Sequence, residues 1–580
     1  MDCSLLHVDS GFTFGNLRLE PDGTLLRGDE TIHLAPKELA ALRVLLTHPG
    51  HIVTPAQLKE SLWPDVHVTA DSVPRCISSL RARLGSEARI RTIYKMGYRF
   101  ESSVHRLEGG GADHLSCLAI VRFTGGSGVP AYLGAAIAED AGTHFLALDP
   151  APVRLLPRDS VFALAETGIS PQELGHRLGA DLVLTGTVQA STLFLRFRAQ
   201  MLRVSDGSQI WLEEAMGPRG QYAVVRDRLL DRLAYRLGVP RALAISASAS
   251  EHEDIDSSGQ QAFFQGRFEG RIRHAQHMSG AVELLFKASG AGSQCRAARE
   301  QIVKVSIGQS LFGYISPDFA AEQIRRASDE LDQPSAAVLS ALGWTLFHVE
   351  HNLAFALRMI LDADPEAPGT WPTTLRVLLA LSRHRFAEAL DLLEESLRGD
   401  PWSPALNVQF AWARHLAGHA HESLEQAESC LRMFPGDERA ELCAALILAY
   451  NKETDRAVRL AHDVACRVPA LDIASAIEAY ALARAARRLE ATALLEHLQF
   501  AGHERFVLSA FTAAAYAELG DTDAAITELQ AAEKARCPWF FQTLADPRLQ
   551  SLHSHPEFQR MRGILETMEA AVALEAECMV

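Results

Sequence analysis

The spacing of apolar residues changes twice along the 580-residue chain and predicts three regions in succession. Up to about residue 104, short segments of β-type composition (FTFGNLRLE, GTLLRG and TIHL) are followed by helix-type spacing. PKELAALRVLLTHPG is predicted to be a helix with Pro36 in its first turn. TPAQLKESLWP is predicted to be a second helix, with Thr54 as its N-cap and Pro55 next. Residues 1–104 are therefore predicted to form an α+β domain.

A third helix is predicted from about residue 71 to residue 84, followed by a hairpin over 89–100 with its tip near Lys95. Pro74 is compatible with this helix only if the helix begins near Asp71. The apolar positions follow i, i+4, i+7 and i+11 and form one buried stripe of Val73, Ile77, Leu80 and Leu84. The opposite face and its flanks carry Asp71, Arg75, Ser78, Ser79, Arg81, Ala82 and Arg83.

The second region, residues 117–240, alternates between strand and helix signals. VRLLP and ADLVLTGTV are predicted strands, and SPQELGHRLG between them is a predicted helix with its own cap. LFLRFRAQMLRV and SQIWLEE are predicted to form two further strands. This alternation predicts a small α/β domain. Charged or glycine-containing linkers are predicted on either side of it, at 105–116 and 241–258.

The third region, residues 259–565, is predicted to be all helical and to repeat every 34 residues. Pro401, Pro435 and Pro469 lie 34 residues apart. A first column of small residues keeps this period at Ala389, Ser423, Ala457, Ala491 and Ala525. A second column keeps it at Val377, Ala411, Ala445, Ala479 and Ala513. Because 34 residues is the tetratricopeptide period, the sequence predicts an all-α tetratricopeptide-type superhelix, followed by a tail at 566–580.

Composition narrows the class of protein. The chain is 48% hydrophobic and 22% charged, and its nine cysteines are scattered without a C-x-x-C pair. We therefore expect reduced thiols rather than a zinc ribbon or a disulfide framework. MDCSLLHVDS lacks the basic start of a signal peptide, and no run of about 18 apolar residues occurs. These features predict a cytoplasmic protein that makes no contact with a membrane.

A search for catalytic motifs gives little. No P-loop, G-x-S-x-G, H-E-x-x-H or kinase pattern is present, so we expect no enzyme activity, no cofactor and no metal. FTGGSG lacks the full nucleotide-binding fingerprint and is interpreted as a surface loop. His415, His419 and His421 could suggest a metal site, but Gly418 interrupts their helical spacing. They are interpreted as solvent-facing turn residues.

One stretch of the chain has a local excess of positive charge that indicates a binding function. Residues 75–99 carry seven basic side chains and one acid, in a chain whose formal net charge is −16. An acidic chain repels nucleic acid, so any binding requires a local basic patch. A helix with arginines and serines on its open face, followed by a hairpin with Arg91 and Lys95, matches the way winged helices hold DNA. The stretch is therefore predicted to be a DNA-contact surface.

The same residues carry a family resemblance. APKELAALRVLLTHPGHIVTPAQLKESLWP, CISSLRARLG and IRTIYKMGYRF resemble the OmpR/PhoB-type winged-helix domain over residues 8–104. ELGHRLGADLVLTGTV and VSDGSQIWLEE resemble TolB/FlgO-like domains, and the three-part order is similar to HilA-type, soluble CadC-related regulators. The resemblance implies a recognition helix over 71–84. It also implies that DNA-facing positions fall on Asp71, Arg75, Ser78, Ser79 and Arg81, with Lys95 on the wing.

Together these signals predict a cytoplasmic transcription regulator, and the resemblance favours an activator. Double-stranded promoter DNA would bind at Asp71, Arg75, Ser78, Ser79, Arg81, Arg83, Arg91 and Lys95. The α/β and repeat domains would sense an unknown effector or recruit RNA polymerase or another regulator, and a homodimer or paired sites are expected. Two alternatives remain. One is an interaction scaffold whose winged helix has lost DNA binding, and the other is an enzyme, although no cyclase-like segment is left unassigned.

Overall fold

The structure is a computed structural model. It describes residues 11–19, 24–27, 30–32, 34–46, 50, 52–62, 69, 71–85, 89–93, 96–102, 104–107, 116–126, 128–148, 151–237, 239, 257–270, 275–290, 296–329, 331, 333–363 and 371–578. Three large clusters of buried apolar side chains lie in these ranges, and one of them belongs to the N-terminal domain alone.

The N-terminal domain contains three helices and two antiparallel sheets. One sheet has the strand order β4-β3-β2-β1-β8, and the other has the order β5-β7-β6. The elements are β1 Gly11–Phe14, β2 Leu17–Leu19, β3 Leu25–Arg27, β4 Glu30–Ile32, α1 Pro36–Leu46, β5 Ile52–Val53, α2 Pro55–Leu62, α3 Ser72–Leu84, β6 Ile90–Ile93, β7 Gly97–Phe100 and β8 Val104–Leu107. Strand β8 pairs with β1, and it includes residues 105–107 of the predicted linker.

The predicted start of α2 is confirmed in detail. The backbone N–H of Gln57 donates to Thr54 Oγ1 at 3.3 Å, while Thr54 N–H donates to Gln57 Oε1 at 2.8 Å. This reciprocal cap satisfies amides that the first turn of a helix leaves without partners. Pro55 follows as the first helical residue, where its missing N–H costs nothing.

The central domain is a mixed sheet with helices packed against it. Its strand order is β11-β9-β12-β13-β14, with β10 also pairing with β12. The elements are β9 Cys117–Ile120, β10 Thr124–Gly125, α4 Ala131–Leu146, β11 Arg154–Leu155, α5 Arg158–Glu166, α6 Pro171–Leu178, β12 Leu182–Ala190, β13 Phe194–Arg203, β14 Gln209–Pro218 and α7 Tyr222–Arg236. Strands β11, β9 and β12 are parallel, and β12, β13 and β14 form an antiparallel meander. The small α/β fold is therefore confirmed.

The rest of the described chain is helical. Its helices are α8 Ser257–Glu269, α9 Ala275–Gly290, α10 Arg296–Leu311, α11 Pro317–Ser328, α12 Ala336–His348, α13 Leu353–Asp362, α14 Trp371–Ser382, α15 Phe386–Gly399, α16 Pro404–Leu416, α17 Ala420–Met433, α18 Glu438–Tyr450, α19 Thr454–Arg467, α20 Asp472–Arg484, α21 Arg488–Ala501, α22 Ser509–Leu519, α23 Thr522–Lys534, α24 Phe540–Thr543 and α25 Pro556–Cys578, with a 3-10 turn at Pro547–Leu552. All ten residues of the two 34-residue columns are 0% exposed. Small side chains thus let paired helices approach closely, and the repeat prediction is confirmed.

The turn between the two helices of each repeat keeps the same period. A left-handed residue occurs at five positions spaced by 34, with φ between 58° and 81°: His384, Gly418, Lys452, Ala486 and Gly520. Only glycine adopts this conformation without strain. The turn geometry therefore comes from the helix pairing, because three of the five positions keep it without glycine.

The sheet and the first helices of the array share one apolar core. Phe263 on α8 and Leu285 on α9 belong to the same buried cluster as Val183 and Phe197 of the sheet. A polar cluster reinforces this seam, because Asp140 accepts hydrogen bonds from Tyr222 Oη at 3.0 Å and from the guanidinium of Arg226 at 3.5 Å. Arg267 on α8 forms an ion pair at 2.7 Å with Glu139, the residue before Asp140. The sheet is thus packed into the start of the array.

One histidine prediction is wrong. His415 is only 1% exposed, and its Nε2 lies 3.2 Å from Asp546 Oδ1. The ring stacks on Trp412, with centroids 5.3 Å apart. The residue falls on the inward stripe of α16 and not in the turn, and so it is buried. His419 and His421, which follow the end of α16, are exposed as predicted.

Candidate nucleic-acid interface

Helix α3 presents a polar face to solvent because its other face is held in the core. Val73, Ile77, Leu80 and Leu84 are at most 5% exposed, which confirms the predicted stripe. Pro74 is the third residue of the helix, where a backbone N–H would have no partner inside the helix. On the opposite side, the exposed residues are Asp71, Arg75, Ser78, Ser79, Ala82 and Arg83.

Ser79 links this face to α1. Its hydroxyl donates to Glu38 Oε1, and the other carboxylate oxygen of Glu38 accepts from the N–H of Ala35 at 2.8 Å. Burial acts to raise the pKa of Glu38, but these two hydrogen bonds and the charge of Arg83 outweigh it, so the pKa lies below its ordinary value. The carboxylate stays ionised and holds α3 at a fixed position on α1.

Arg81 is bound to the wing, the hairpin formed by β6 and β7. Its Nε donates to the carbonyl of Ile90 at 2.9 Å, and its Nη2 donates to Thr92 Oγ1 at 2.8 Å. The guanidinium also lies 5.9 Å from the centroid of the Tyr98 ring. Arg81 is accordingly half-buried. These contacts fix the angle between α3 and the wing.

Three side chains of the polar face remain uncommitted. Arg75, Ser78 and Arg83 are exposed, and within the described residues their side chains form no hydrogen bond or ion pair. On the wing, Arg91 lies 3.5 Å from Glu101 but keeps 66% of its side chain exposed. Arg75, Ser78 and Arg83 can therefore bind an external anion without breaking a hydrogen bond or an ion pair among the described residues, whereas Arg91 would share its charge with Glu101.

The wing packs closely against β5, which is possible because of Gly97. Its φ is 143°, and a Cβ built there would lie 2.2 Å from the carbonyl oxygen of Val53. Gly97 pairs with Ile93 at the end of the hairpin. The hairpin is therefore confirmed, while its predicted tip residue Lys95 lies outside the described residues.

Sequence reasoning did not identify the residues that orient this surface. Glu38 and Thr92 lie 41 and 11 residues from their partners Ser79 and Arg81. Arg27 donates to the carbonyls of Arg83 and Leu84 at 3.3 Å and thereby caps the C-terminal end of α3 from β3. No linear pattern marks such contacts, because each depends on the packing of separate elements.

A second feature of interest is a cavity of about 860 Å³ between α5 and the inner helices of the array. Aromatic side chains line it, including Phe162, Trp371, Trp412, Phe511 and Trp539. Two polar atoms of its lining, Trp371 Nε1 and Gln409 Oε1, are buried and have no hydrogen-bond partner within the described residues. Charged side chains from α5 and from the array line the cavity as well. Ligand sites likewise combine apolar walls with polar groups that converge on the ligand.

Metal sites and membrane spans can be assessed for the described part of the chain. No group of three or more histidine, cysteine or acidic residues has the geometry of a metal site in these ranges. Within the same ranges, no helix combines the length and apolarity that crossing a bilayer requires.

Comparison with known proteins bears on the N-terminal domain. Residues 29–100 match the family model described as "Transcriptional regulatory protein, C terminal". This is an OmpR/PhoB-type winged-helix domain. The matched residues include the third helix α3 with its N-cap Asp71, and the hairpin that carries Arg91.

Individual relatives cover limited parts of the chain. The transcriptional regulator HilA of Salmonella typhimurium is 38% identical over 96 residues, which are 16% of this chain and 17% of that protein. The DNA-binding domain of RstA from Klebsiella pneumoniae, solved in complex with the RstA box, is 28% identical, with a TM-score of 0.15. That match covers 16% of this chain and 96% of the RstA chain. A tetratricopeptide repeat protein from Parabacteroides merdae is 14% identical and covers 46% of this chain and 98% of its own, with a TM-score of 0.29.

Proposed function

We propose that this chain is a cytoplasmic, sequence-specific DNA-binding regulator that activates transcription. The observation that carries the proposal is the uncommitted polar face of α3, where Arg75, Ser78 and Arg83 are exposed and have no internal hydrogen-bond partner within the described residues. Such arginines are expected to bind phosphate even in an acidic protein, because neither forms an ion pair within the described residues and Arg83 acts on Glu38 through its charge without a bond.

In this proposal α3 enters the major groove and the wing follows the neighbouring backbone. Arg75 and Ser78 contact base edges, and Asp71 accepts from a base at the start of the helix. Arg83, Arg91 and Lys95 bind phosphates, which sets affinity and salt dependence.

Two residues that were predicted to contact DNA take a different role in the proposal. Arg81 and Ser79 act as positioning residues, because the wing engages the guanidinium of Arg81 and Glu38 engages the hydroxyl of Ser79. They fix the angle between the recognition helix and the wing. Their loss would therefore weaken binding to all sequences rather than change sequence preference.

In this proposal the α/β domain and the repeat array receive the signal or the partner protein, while the winged helix binds DNA. We propose that the cavity beside Trp371, Gln409 and Trp412 receives an effector or a segment of RNA polymerase or another regulator. Its volume and aromatic lining support this, as do the two polar atoms without a partner in the described chain. A homodimer that binds paired half-sites is the assembly expected of a single recognition helix per chain.

The DNA part is tested by selection from random duplexes with the full chain, followed by titration against salt. We expect an enriched motif with repeated half-sites. The Arg75→Ala/Arg83→Ala variant should bind the selected site at least about a hundredfold more weakly, because it can no longer engage one base and one phosphate. The logarithmic salt slope should become shallower by about 0.9 for each phosphate that the variant no longer binds. Arg505→Ala/Arg456→Ala, which removes two array arginines, serves as the control for reduced positive charge and should change neither quantity.

The scaffold alternative makes the opposite prediction. It requires that no sequence is enriched and that the α3 variant and the array variant behave like the unmodified chain. That result would reject DNA recognition, and the winged helix would then have to contact a protein.

The cavity part is tested by transcription from a promoter that carries the selected site. The Trp371→Phe/Gln409→Leu variant should bind this DNA as tightly as the unmodified chain and yet lose transcriptional output. Phe500→Ala, which removes an exposed ring outside the cavity lining, is the control and should keep its output. Unchanged output in the cavity variant would reject this role of the cavity and leave the DNA proposal standing.

A further inference from the structure

A thiol, an imidazole and a carboxylate form a line on the repeat array, far in sequence from the DNA-binding domain. Cys466 Sγ lies 3.5 Å from His462 Nε2, and His462 Nδ1 lies 2.9 Å from Glu478 Oε1. His462 and Cys466 are four residues apart on α19, so they share one face of that helix. Glu478 belongs to α20, which packs beside it.

The carboxylate decides which nitrogen of the imidazole faces the sulfur. The Glu478 carboxylate lies against Nδ1, so it favours the ring tautomer that carries its N–H on Nδ1 and donates to Glu478. The lone pair of Nε2 then points at the Cys466 thiol. A nucleophile in contact with a base that a third group orients is the arrangement of cysteine and serine nucleophiles in general.

The other cysteines provide internal comparisons. Of the six cysteines whose side chains the structure describes, Cys466 is the exposed one. Burial raises the pKa of the Cys430 thiol to about 12 and that of Cys537 to about 12, and it raises the pKa of Cys76 as well. These thiols are expected to be inert, because the thiolate is the reactive form.

Two alternative chemistries fit the geometry poorly. The imidazole stands between the thiol and the carboxylate and contacts each through a different nitrogen, and no metal-binding group of three occurs among the described residues. Acyl transfer requires free backbone amides near the nucleophile, but those around Cys466 are bonded within α19. A co-reactant that needs no oxyanion site fits better.

We propose that Cys466 is a redox-reactive thiol whose co-reactant is hydrogen peroxide, with His462 as its base and Glu478 as a positioning residue. His462 Nε2 takes the thiol proton, and the thiolate attacks one peroxide oxygen. The O–O bond breaks, and the leaving hydroxide takes the proton back from the imidazolium to form water. The sulfur is oxidised by two electrons to a sulfenic acid, and a thiol reductant restores it.

The position of the thiol makes the base essential. Cys466 is the next-to-last residue of α19, where the helix dipole opposes negative charge. A thiolate at this place therefore depends on the positive charge that His462 gains when it takes the proton. Removal of the imidazole should have a larger effect here than at a helix N-terminus.

The test treats the full chain with hydrogen peroxide, traps sulfenic acid with a dimedone-type reagent and measures each cysteine by peptide mass spectrometry. The control chain carries Phe500→Cys in a Cys466→Ser background. Phe500 is 66% exposed and lies one 34-residue period after Cys466, and Glu496 replaces the histidine four residues before it. The control chain also carries His497→Ala, because His497 lies three residues before position 500 on the same helix face. We expect Cys466 to react about tenfold faster than the thiol of the control chain, and faster than the buried cysteines.

Variants separate the roles of the partners. His462→Ala should lower the rate about tenfold, and added imidazole should restore part of it, which a purely structural role would not allow. Glu478→Gln should shift the pH dependence of the rate without lowering the thermal stability of the array by more than a few degrees. The proposal is rejected if the control thiol reacts as fast as Cys466, or if His462→Ala leaves the rate unchanged.

Discussion

Arginine has opposite roles in α3 and in the repeat array. In the array, arginines connect one repeat to the next: Arg505 binds Asp472 through two bonds of 2.8 and 2.9 Å, and Arg484 lies 2.9 Å from Glu518. On α3, Arg75 and Arg83 are exposed, and within the described chain their side chains have no such partner. Helix α3 and the helices of the array are all amphipathic, so the hydrophobic pattern does not distinguish a DNA-contact helix from a repeat helix.

The difference teaches that charge counts alone do not locate a binding surface. A paired arginine has its hydrogen-bonding groups engaged and its charge balanced, so it adds to the stability and register of the array. An unpaired one keeps its charge for a ligand and contributes little to folding. A phosphate is therefore expected to bind where the basic side chains lack carboxylate partners, and α3 is such a place.

The largest change in stability is expected at Arg548, which is paired like the other array arginines but is also buried. Its Nη2 lies 2.7 Å from Asp546 Oδ2, and its guanidinium lies 5.0 Å from the Tyr480 ring. Arg548→Met leaves the carboxylate of Asp546 buried without a cationic arginine, with His415 and the backbone N–H of residue 548 as its remaining hydrogen-bond partners. We expect a loss of about 3–5 kcal/mol in the free energy of unfolding of the array, measured by urea denaturation.

The same ion pair predicts a dependence on pH. Burial alone would raise the pKa of Asp546, but Arg548 and His415 hold it below its ordinary value. Such a carboxylate contributes stability above its unfolded pKa of about 3.9, and this stability is lost as pH falls through the folded value. Arg548→Met/Asp546→Asn should recover most of the lost stability. A cost for Arg548→Met no larger than that for Arg75→Ala would contradict the comparison.

Much of the fold could be predicted because it depends on local periodicity. Val73 and Leu84 mark the buried stripe of α3, and Ala457 and Ala491 mark the repeat columns, since these positions are fixed by helix geometry. The polar face of α3 could be predicted in the same way, because the buried apolar stripe on one side of a helix leaves the opposite side exposed to solvent.

The partners of polar groups could not be predicted in this way. Arg81 and Arg75 look alike in sequence, yet Arg81 is held by Ile90 and Thr92 of the wing. His415 was placed in a turn because of the nearby glycine, whereas its partner Asp546 lies 131 residues further on. Such contacts require the path of the whole chain, so only a structure can separate positioning residues from exposed ones.

An effect of intermediate size is expected at Asp400, because this buried carboxylate has a hydroxyl partner in place of an arginine. It accepts from the hydroxyl of Ser160 on α5. Burial raises the pKa of Asp400 to about 6, the Ser160 bond lowers it in part, and Asp159 raises it again. The neutral acid is therefore favoured in the folded state. Its contribution to stability is complete below about pH 4 and is lost as pH rises through about 6.

Asp400→Asn should stabilise the seam between α5 and the array at neutral pH. The amide keeps an acceptor for Ser160 and removes the buried charge, so we expect a gain of up to about 3 kcal/mol at pH 7. The gain should vanish at pH 4, where the wild-type carboxyl is protonated. Melting temperatures measured from pH 4 to pH 8 check this, and an equal effect at both ends would show that the charge is not the cause.

The smallest expected effect is that of Arg505→Ala, which breaks an exposed ion pair between repeats. Half of the Arg505 side chain is exposed, so water and salt screen its charge, and we expect a loss below about 1 kcal/mol. Because this arginine is already paired with Asp472, its removal should leave DNA affinity and the salt slope unchanged. Arg75→Ala should do the reverse, with unchanged melting temperature and weaker DNA binding. If Arg505→Ala also weakened DNA binding, the total charge of the chain, and not the local absence of carboxylate partners, would control its attraction to nucleic acid.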